Sequence, residues 1–202
     1  MGKWGSYGTG NGAFSFPTHL AFDPRGLLYV ADSGNDRLQY FTAAGSYRGQ
    51  WGSWGTANGE FDYPRGVGVA RNNNVYVGDT SNYRVQYFTS AGSYLGKWGI
   101  QGSEIGRFRG LSGLTVAADG TVFVADMVNH RIQYFSANGA FLGTWGSQGS
   151  GDGEFNFHVD VALVPNGDVY VLEFGMYRVQ YFRWSDPAVV PTSLGPVKAL
   201  FR

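Results

Sequence analysis

The chain of 202 residues contains no cysteine. That removes disulfides, thiolate metal sites and thiol nucleophiles together, and it leaves the redox compartment open. Charge is scarce as well: charged residues make up 15%, and 15 basic side chains balance 15 acidic ones. A neutral chain lacks the broad positive footprint of DNA or RNA binding, so nucleic acid is not an expected partner. No apolar run approaches the roughly 18 residues of a membrane span. Met1-Gly2-Lys3-Trp4-Gly5 opens no apolar stretch, so neither a secretory leader nor a membrane anchor is expected, and the reading is a soluble protein of unassigned compartment. The chain also lacks a Gly-x-Ser-x-Gly elbow and a Gly-x4-Gly-Lys-Ser/Thr loop, which would carry a serine nucleophile or a phosphate. No segment sustains a helical period.

What is plentiful is glycine, with 32 residues, and aromatic side chains, at 17% of the chain. Both are distributed by a repeat. Trp4, Trp51, Trp98 and Trp145 are each 47 residues apart, and the same step links Asp32, Asp79, Asp126 and Glu173. It also links Arg37, Arg84, Arg131 and Arg178, then Gln39, Gln86, Gln133 and Gln180. The units are 14–60, 61–107, 108–154 and 155–201, without one insertion or deletion. Within 61–107 the local signals predict four short strands, at Gly66–Val69, Asn74–Asp79, Arg84–Phe88 and Tyr94–Trp98. Asn72-Asn73 in this unit and Asp119-Gly120 in the next suit a tight hairpin between the first two strands. Units of about 40–50 residues with four strands each, apolar on both sheet faces, describe the blades of a β-propeller.

Residues 1–13 match the last thirteen positions of a unit, while the final unit reads Asp186-Pro187-Ala188-Val189-Val190-Pro191 where its fourth strand is due. Proline cannot donate to a strand ladder. The expectation is therefore one all-β domain, 1–185, of four 47-residue blades (14–60, 61–107, 108–154 and 155–185), closed by residues 1–13 as the fourth strand of the last blade, with 186–202 as a C-terminal tail. Such closure removes two exposed sheet edges and favours a monomer. The alternatives are a fragment of a six-bladed propeller and a ring completed by another chain.

The units resemble NHL repeats. The residues that carry the resemblance are Pro64-Arg65-Gly66-Val67, the strand end Val75 to Asp79, Asn82-x-Arg84-Val85-Gln86-Tyr87-Phe88, and the closing Gly96 to Gly99. The third unit departs with Leu111 for proline, and the fourth with Glu173 for Asp and Met176 for Asn. The resemblance implies an NHL-type propeller, and with it three roles: interaction scaffold, histidine-bound metal lyase, or an RNA-binding or ubiquitin-ligase targeting domain.

A side chain copied four times answers a need common to all blades. The repeated Asp is expected to accept hydrogen bonds from the following turn and to pair with the repeated Arg. The repeated Trp and Tyr-Phe pairs are expected between blades, where each buries a large apolar area. Function is therefore sought where the copies differ and on one face, the top, which carries the entries to the first strands. There the units read Pro17-Thr18-His19, Pro64-Arg65-Gly66, Leu111-Ser112-Gly113 and His158-Val159-Asp160. The candidate ligand-binding residues are His19, Arg65, Ser112, His158 and Asp160 at the channel mouth, with His130 and Glu173 in the turns and strand ends of the same face. His19, His158 and Asp160 could hold a zinc with an open position. No His-x-His or His-x-x-x-His pair demands it, and a few polar residues solvating a channel mouth is the plainer reading. Glu173 could serve as a general base, but pairing with Arg178 is the favoured role. Asp119, Asp152 and Glu154 are turn carboxylates with no second ligand in sight for a calcium ion. No cofactor is required. The leading expectation is thus a non-catalytic module that presents its top face to a protein, peptide or small ligand, with a metal-dependent lyase or hydrolase as the runner-up.

Overall fold

The computed structural model describes residues 2–164 and 167–183, with the side chain of His158 left out. The expected tail, 186–202, lies outside the described residues. Fifteen strands form among them. The first blade holds β1 (Pro17–Phe22), β2 (Leu27–Asp32), β3 (Arg37–Thr42) and β4 (Tyr47–Trp51). The second holds β5 (Pro64–Val69), β6 (Val75–Asp79), β7 (Arg84–Phe88) and β8 (Tyr94–Trp98). The third holds β9 (Leu111–Val116), β10 (Val122–Asp126), β11 (Arg131–Phe135) and β12 (Phe141–Trp145), and the fourth β13 (His158–Leu163), β14 (Val169–Glu173) and β15 (Arg178–Phe182). Each sheet is an antiparallel meander, paired in sequence order. This is the propeller arrangement of four blades that the repeat predicts. No helix among the described residues is long and apolar enough to cross a membrane.

The blades meet through three apolar joints of one design. In the first, Tyr29, Ala31 and Leu38 of blade one pack on Phe61, Val67, Val75, Val77 and Phe88 of blade two. Tyr76 and Val85 do the same against blade three, and Phe123, Ala125 and Ile132 against blade four. Trp51 at the end of β4 bridges the first joint, with ring centroids 5.9 Å from Tyr29, 5.8 Å from Tyr40 and 5.8 Å from Phe88. Gly45, Gly92 and Gly139 make room for Trp4, Trp51 and Trp98. Gly92 has φ +87, and a Cβ there would stand 2.9 Å from the Trp51 ring, so both its backbone angle and its neighbour exclude a side chain.

Every blade also grips the linker that precedes it. In blade two the buried Asp79 carboxylate accepts from Arg84 Nε at 2.7 Å, from Gln86 Nε2 at 3.1 Å and from the Asp62 backbone N–H at 2.8 Å. Arg84 then donates to the carbonyls of Thr56, Ala57 and Glu60. Arg37, Arg131 and Arg178 repeat this clamp. The repeated arginines are thus paired and hydrogen-bonded inside the blades, as the repeat implies.

The closing strand is where the structure differs from the expectation. Residues 2–13 form no strand, and the fourth sheet has three strands among the described residues. The segment stays on blade one instead, because Arg37 and Gln39 bind the carbonyls of Thr9, Gly10 and Ala13. Trp4 packs on Phe41, 6.3 Å away. Where a fourth joint would lie, Leu20 of blade one and Val179 of blade four are exposed, whereas Leu28, Val30 and Phe41 of blade one are buried.

Burial leaves a mark on the tyrosines. The Tyr29 phenol donates to the Ser90 carbonyl at 3.2 Å. Burial, with Asp23 adding to it, raises this phenol to about 12. Burial raises Tyr76 and Tyr134 too. In the unfolded chain a tyrosine ionises near ~10. Between those values the folded protein keeps protons that the unfolded chain has released, so stability falls as pH rises. Urea midpoints should hold up to about pH 9 and decline from about pH 10 upwards; a midpoint flat through that range would show that these phenols are not shielded.

Candidate functional site

The four entry strands converge on one axis, and the positions where the units differ converge with them. A cavity of about 210 Å³ at the mouth is lined by Thr18, His19, Arg65, Ser112, Asp160 and their neighbours. Beneath it runs a channel of about 370 Å³ bounded by stretches of β1, β5, β9 and β13. His19 and Asp160 line both, so this pair stands at the neck between mouth and channel.

The geometry at the neck follows from the repeat register. Positions 19, 66, 113 and 160 are equivalent and read His, Gly, Gly and Asp. The glycines let neighbouring strands close in: a Cβ on Gly66 would lie 2.8 Å from the Ser112 carbonyl oxygen, and one on Gly113 would lie 2.8 Å from the Asp160 Cα. The two units with side chains there point them at one another. His19 Nδ1 lies 3.6 Å from Asp160 Oδ1, and Asp160 Oδ1 also accepts from the Val161 backbone N–H at 2.8 Å. The contact is an ion pair whenever the imidazole is protonated.

Arg65 is the singular residue of the mouth. Its carbonyl accepts from Thr18 Oγ1 at 3.1 Å, which fixes the backbone. Its guanidinium is half-buried and makes no hydrogen bond or ion pair with a described residue. The other half-buried or buried arginines, such as Arg37 and Arg84, are held by carboxylates. Ser112 is buried, and its hydroxyl donates to the Ala125 carbonyl at 3.4 Å.

His19, Arg65, Ser112 and Asp160 are therefore brought together. His158 begins β13 opposite Glu173. His130 and Glu173 stand apart from the mouth. His130 occupies a left-handed turn position with φ 54, where its Nδ1 meets the Phe155 carbonyl at 3.1 Å. Its equivalents Asp36, Tyr83 and Tyr177 have the same backbone, so a turn requirement explains the position. Glu173 is buried beneath the face and accepts from Arg178 Nε at 2.7 Å, Gln180 Nε2 at 2.6 Å and the Asn156 backbone N–H at 3.1 Å. With its lone pairs committed to the clamp, it has the structural role of the repeated Asp. Among the described residues no three His, Asp or Glu side chains converge as metal ligands. Asp119 and Glu154 turn back on their own loops, accepting from Thr121 and Gly151 backbone N–H groups.

One feature of the face escapes the sequence reading. Phe16, Tyr63 and Phe157 occupy equivalent positions just before the first strands, all with φ between 46 and 53, and all are exposed. A bulky side chain in the left-handed region is strained, and such strain gathers at functional positions. With Tyr177 and Phe174 they make an aromatic rim around the polar mouth. The sequence offered no clear signal: Gly110 fills the same phase in unit three, yet its own φ is not in the left-handed region.

The NHL repeat profile matches residues 14–41 and 61–88, the first three strands of blades one and two. Two of the four blades thus carry NHL repeats. Among solved structures the propeller is similar to a virginiamycin B lyase from Staphylococcus aureus, at 14% identity and a TM-score of 0.64 over 83% of this chain and 52% of that one. It is also similar to a streptogramin B lyase (9%, TM-score 0.61, 87% and 57% covered) and to hydrazine synthase of Kuenenia stuttgartiensis (13%, TM-score 0.62, 88% and 49%). Identities this low show a shared fold. The chain spans about half the length of these structures. No curated protein matches the chain.

Proposed function

We propose that the chain is a non-catalytic binding module whose mouth receives a carboxylate presented by a protein or peptide. The observation that carries this is Arg65: a half-buried cation in a concave site, with no anionic partner among the described residues. Its planar fork suits a carboxylate approached in two hydrogen bonds. The aromatic rim supplies the rigid apolar contact that binding surfaces favour, at small entropic cost. Asp160 beside His19 sets the opposite sign across the mouth, which would orient a ligand that also carries a donor.

Calorimetric titration with short acidic peptides and their amidated counterparts tests the reading. The acidic forms should bind, more weakly as salt rises, and Arg65→Ala should weaken them by about 10-fold or more. Arg65→Lys should recover only part, because an ammonium cannot present the fork. Equal binding of acidic and amidated peptides, or indifference to Arg65→Ala, would overturn it.

A further inference from the structure

Every buried carboxylate among the described residues is paired with an arginine. The strand-end residues Asp32, Asp79, Asp126 and Glu173 lie 2.7–3.0 Å from the Nε of their repeated arginine, and Asp23 lies 2.7 Å from Arg25. The mouth departs from this rule twice. The Arg65 guanidinium has no ion pair or hydrogen bond with a described residue. Asp160 is held only loosely: His19 Nδ1, at 3.6 Å from Oδ1, is beyond hydrogen-bond length, and the firm bond is the one from the Val161 backbone N–H to Oδ1. Its Oδ2 accepts from no described residue.

These two unmatched charges, of opposite sign, share one cavity. The first strands touch in the order β1, β5, β9 and β13, so Arg65 in β5 and Asp160 in β13 belong to blades on opposite sides of the axis. Both line the mouth of about 210 Å³. Each is pinned where it stands, Arg65 by the Thr18 hydroxyl on its carbonyl and the Asp160 carboxylate by its own strand. Gly113 of the intervening blade puts no side chain between them. On the Asp160 side the wall is apolar, formed by Val159 and by Leu172, the residue paired with Asp160 across the sheet. The mouth thus holds a cation and an anion apart.

We propose that the mouth receives the C-terminal lysine of a peptide, its carboxylate on Arg65 and its side-chain ammonium on Asp160 Oδ2. This rests on the reading of Arg65 as the carboxylate receptor and adds the residue that presents the carboxylate. A ligand with both charges satisfies both groups, whereas a carboxylate alone brings a second negative charge into the cavity with Asp160. Lysine suits the acceptor better than arginine does: one carboxylate oxygen is open, which matches a point charge and not a planar fork. Its four methylenes let the two charges separate across the cavity, and they lie along Val159 and Leu172 as lysine stems lie on apolar surface. A cavity below the ~300–1,000 Å³ of drug-sized sites takes one residue, and the preceding residues leave over the aromatic rim.

Calorimetric titration with acetyl-Gly-Gly-Lys, its norleucine counterpart and the amide of the lysine peptide tests the assignment. Norleucine keeps the carboxylate and an apolar stem and removes the ammonium. The lysine acid should bind about 10-fold more tightly than the norleucine acid. Asp160→Asn should abolish that preference without weakening the norleucine acid; asparagine keeps the oxygen that accepts from Val161, and retained norleucine binding shows that the mouth is intact. Arg65→Ala should weaken both acids. Equal binding of the two acids, each dependent on Arg65, would overturn the lysine assignment and leave the carboxylate reading standing. So would a lysine preference that survives Asp160→Asn. Binding by neither acid, or a lysine amide that binds as well as the acid, would overturn both.

Discussion

Arg84→Met is expected to lower stability by about 3–5 kcal/mol, the cost of orphaning one member of a buried ion pair. Arg84 is 6% exposed and Asp79 fully buried, and the guanidinium also serves three linker carbonyls. Burial pushes the Asp79 carboxyl above its ordinary range, and Arg84 is among the groups that pull it back. Without Arg84 that upward push is less opposed, and a folded carboxyl raised in this way loses stability as pH rises through its folded value. The defect should therefore be larger at neutral pH than near pH 4. The double variant Asp79→Asn, Arg84→Met, which removes both charges, should recover part of the loss. Urea denaturation of the native chain and the two variants at the two pH values decides it. Equal loss in single and double variants, independent of pH, would mean that the unbonded carbonyls and not the buried charge dominate.

Gly113→Val acts at the axis rather than inside a blade. The new Cβ would stand 2.8 Å from the Asp160 Cα and press on the Asp160 carboxylate itself. Side-chain rotation can move the carboxylate, but not the backbone, so β9 and β13 must separate. Overpacking of this kind costs about 1–3 kcal/mol, a fall in Tm of roughly 2–12 °C for a domain of this size. The same shift displaces Asp160 from His19, so it should disturb the neck as well as the fold. A thermal melt measures the first, and the chemical shift of the His19 imidazole in the native and variant proteins reads the second. An unchanged Tm would show that the strands have slack at this position.

The period of 47 made most of the fold legible, because a need shared by every blade is written four times. The strands fall where β7 and β8 were expected from Arg84–Phe88 and Tyr94–Trp98, and the Asp–Arg pairing follows from its recurrence. Closure was not legible. Phase says which part of a blade residues 1–13 imitate, but not which sheet they join, and the bonds from Arg37 and Gln39 decide that in favour of blade one. The mouth was legible through departures from the repeat, which pointed to His19, Arg65, Ser112 and Asp160. His130 lies apart from them at a left-handed turn position, which Asp36, Tyr83 and Tyr177 fill with unrelated chemistry. The aromatic rim stayed hidden because a repeated aromatic reads as core, and only the backbone angle of Phe16, Tyr63 and Phe157 turns them outward.

The clamp sets the boundaries of cooperative opening. Arg37, Arg84, Arg131 and Arg178 each reach back 24–28 residues to the linker before their blade. A blade that opens therefore releases the chain upstream of it, while the linker downstream stays fastened to its successor. The unit that melts together is a linker with the blade that follows, offset by some thirteen residues from the sheet a viewer would outline. The segment 2–13 is then no appendage: it opens the first unit, and blade one loses its own fastening if that segment is removed.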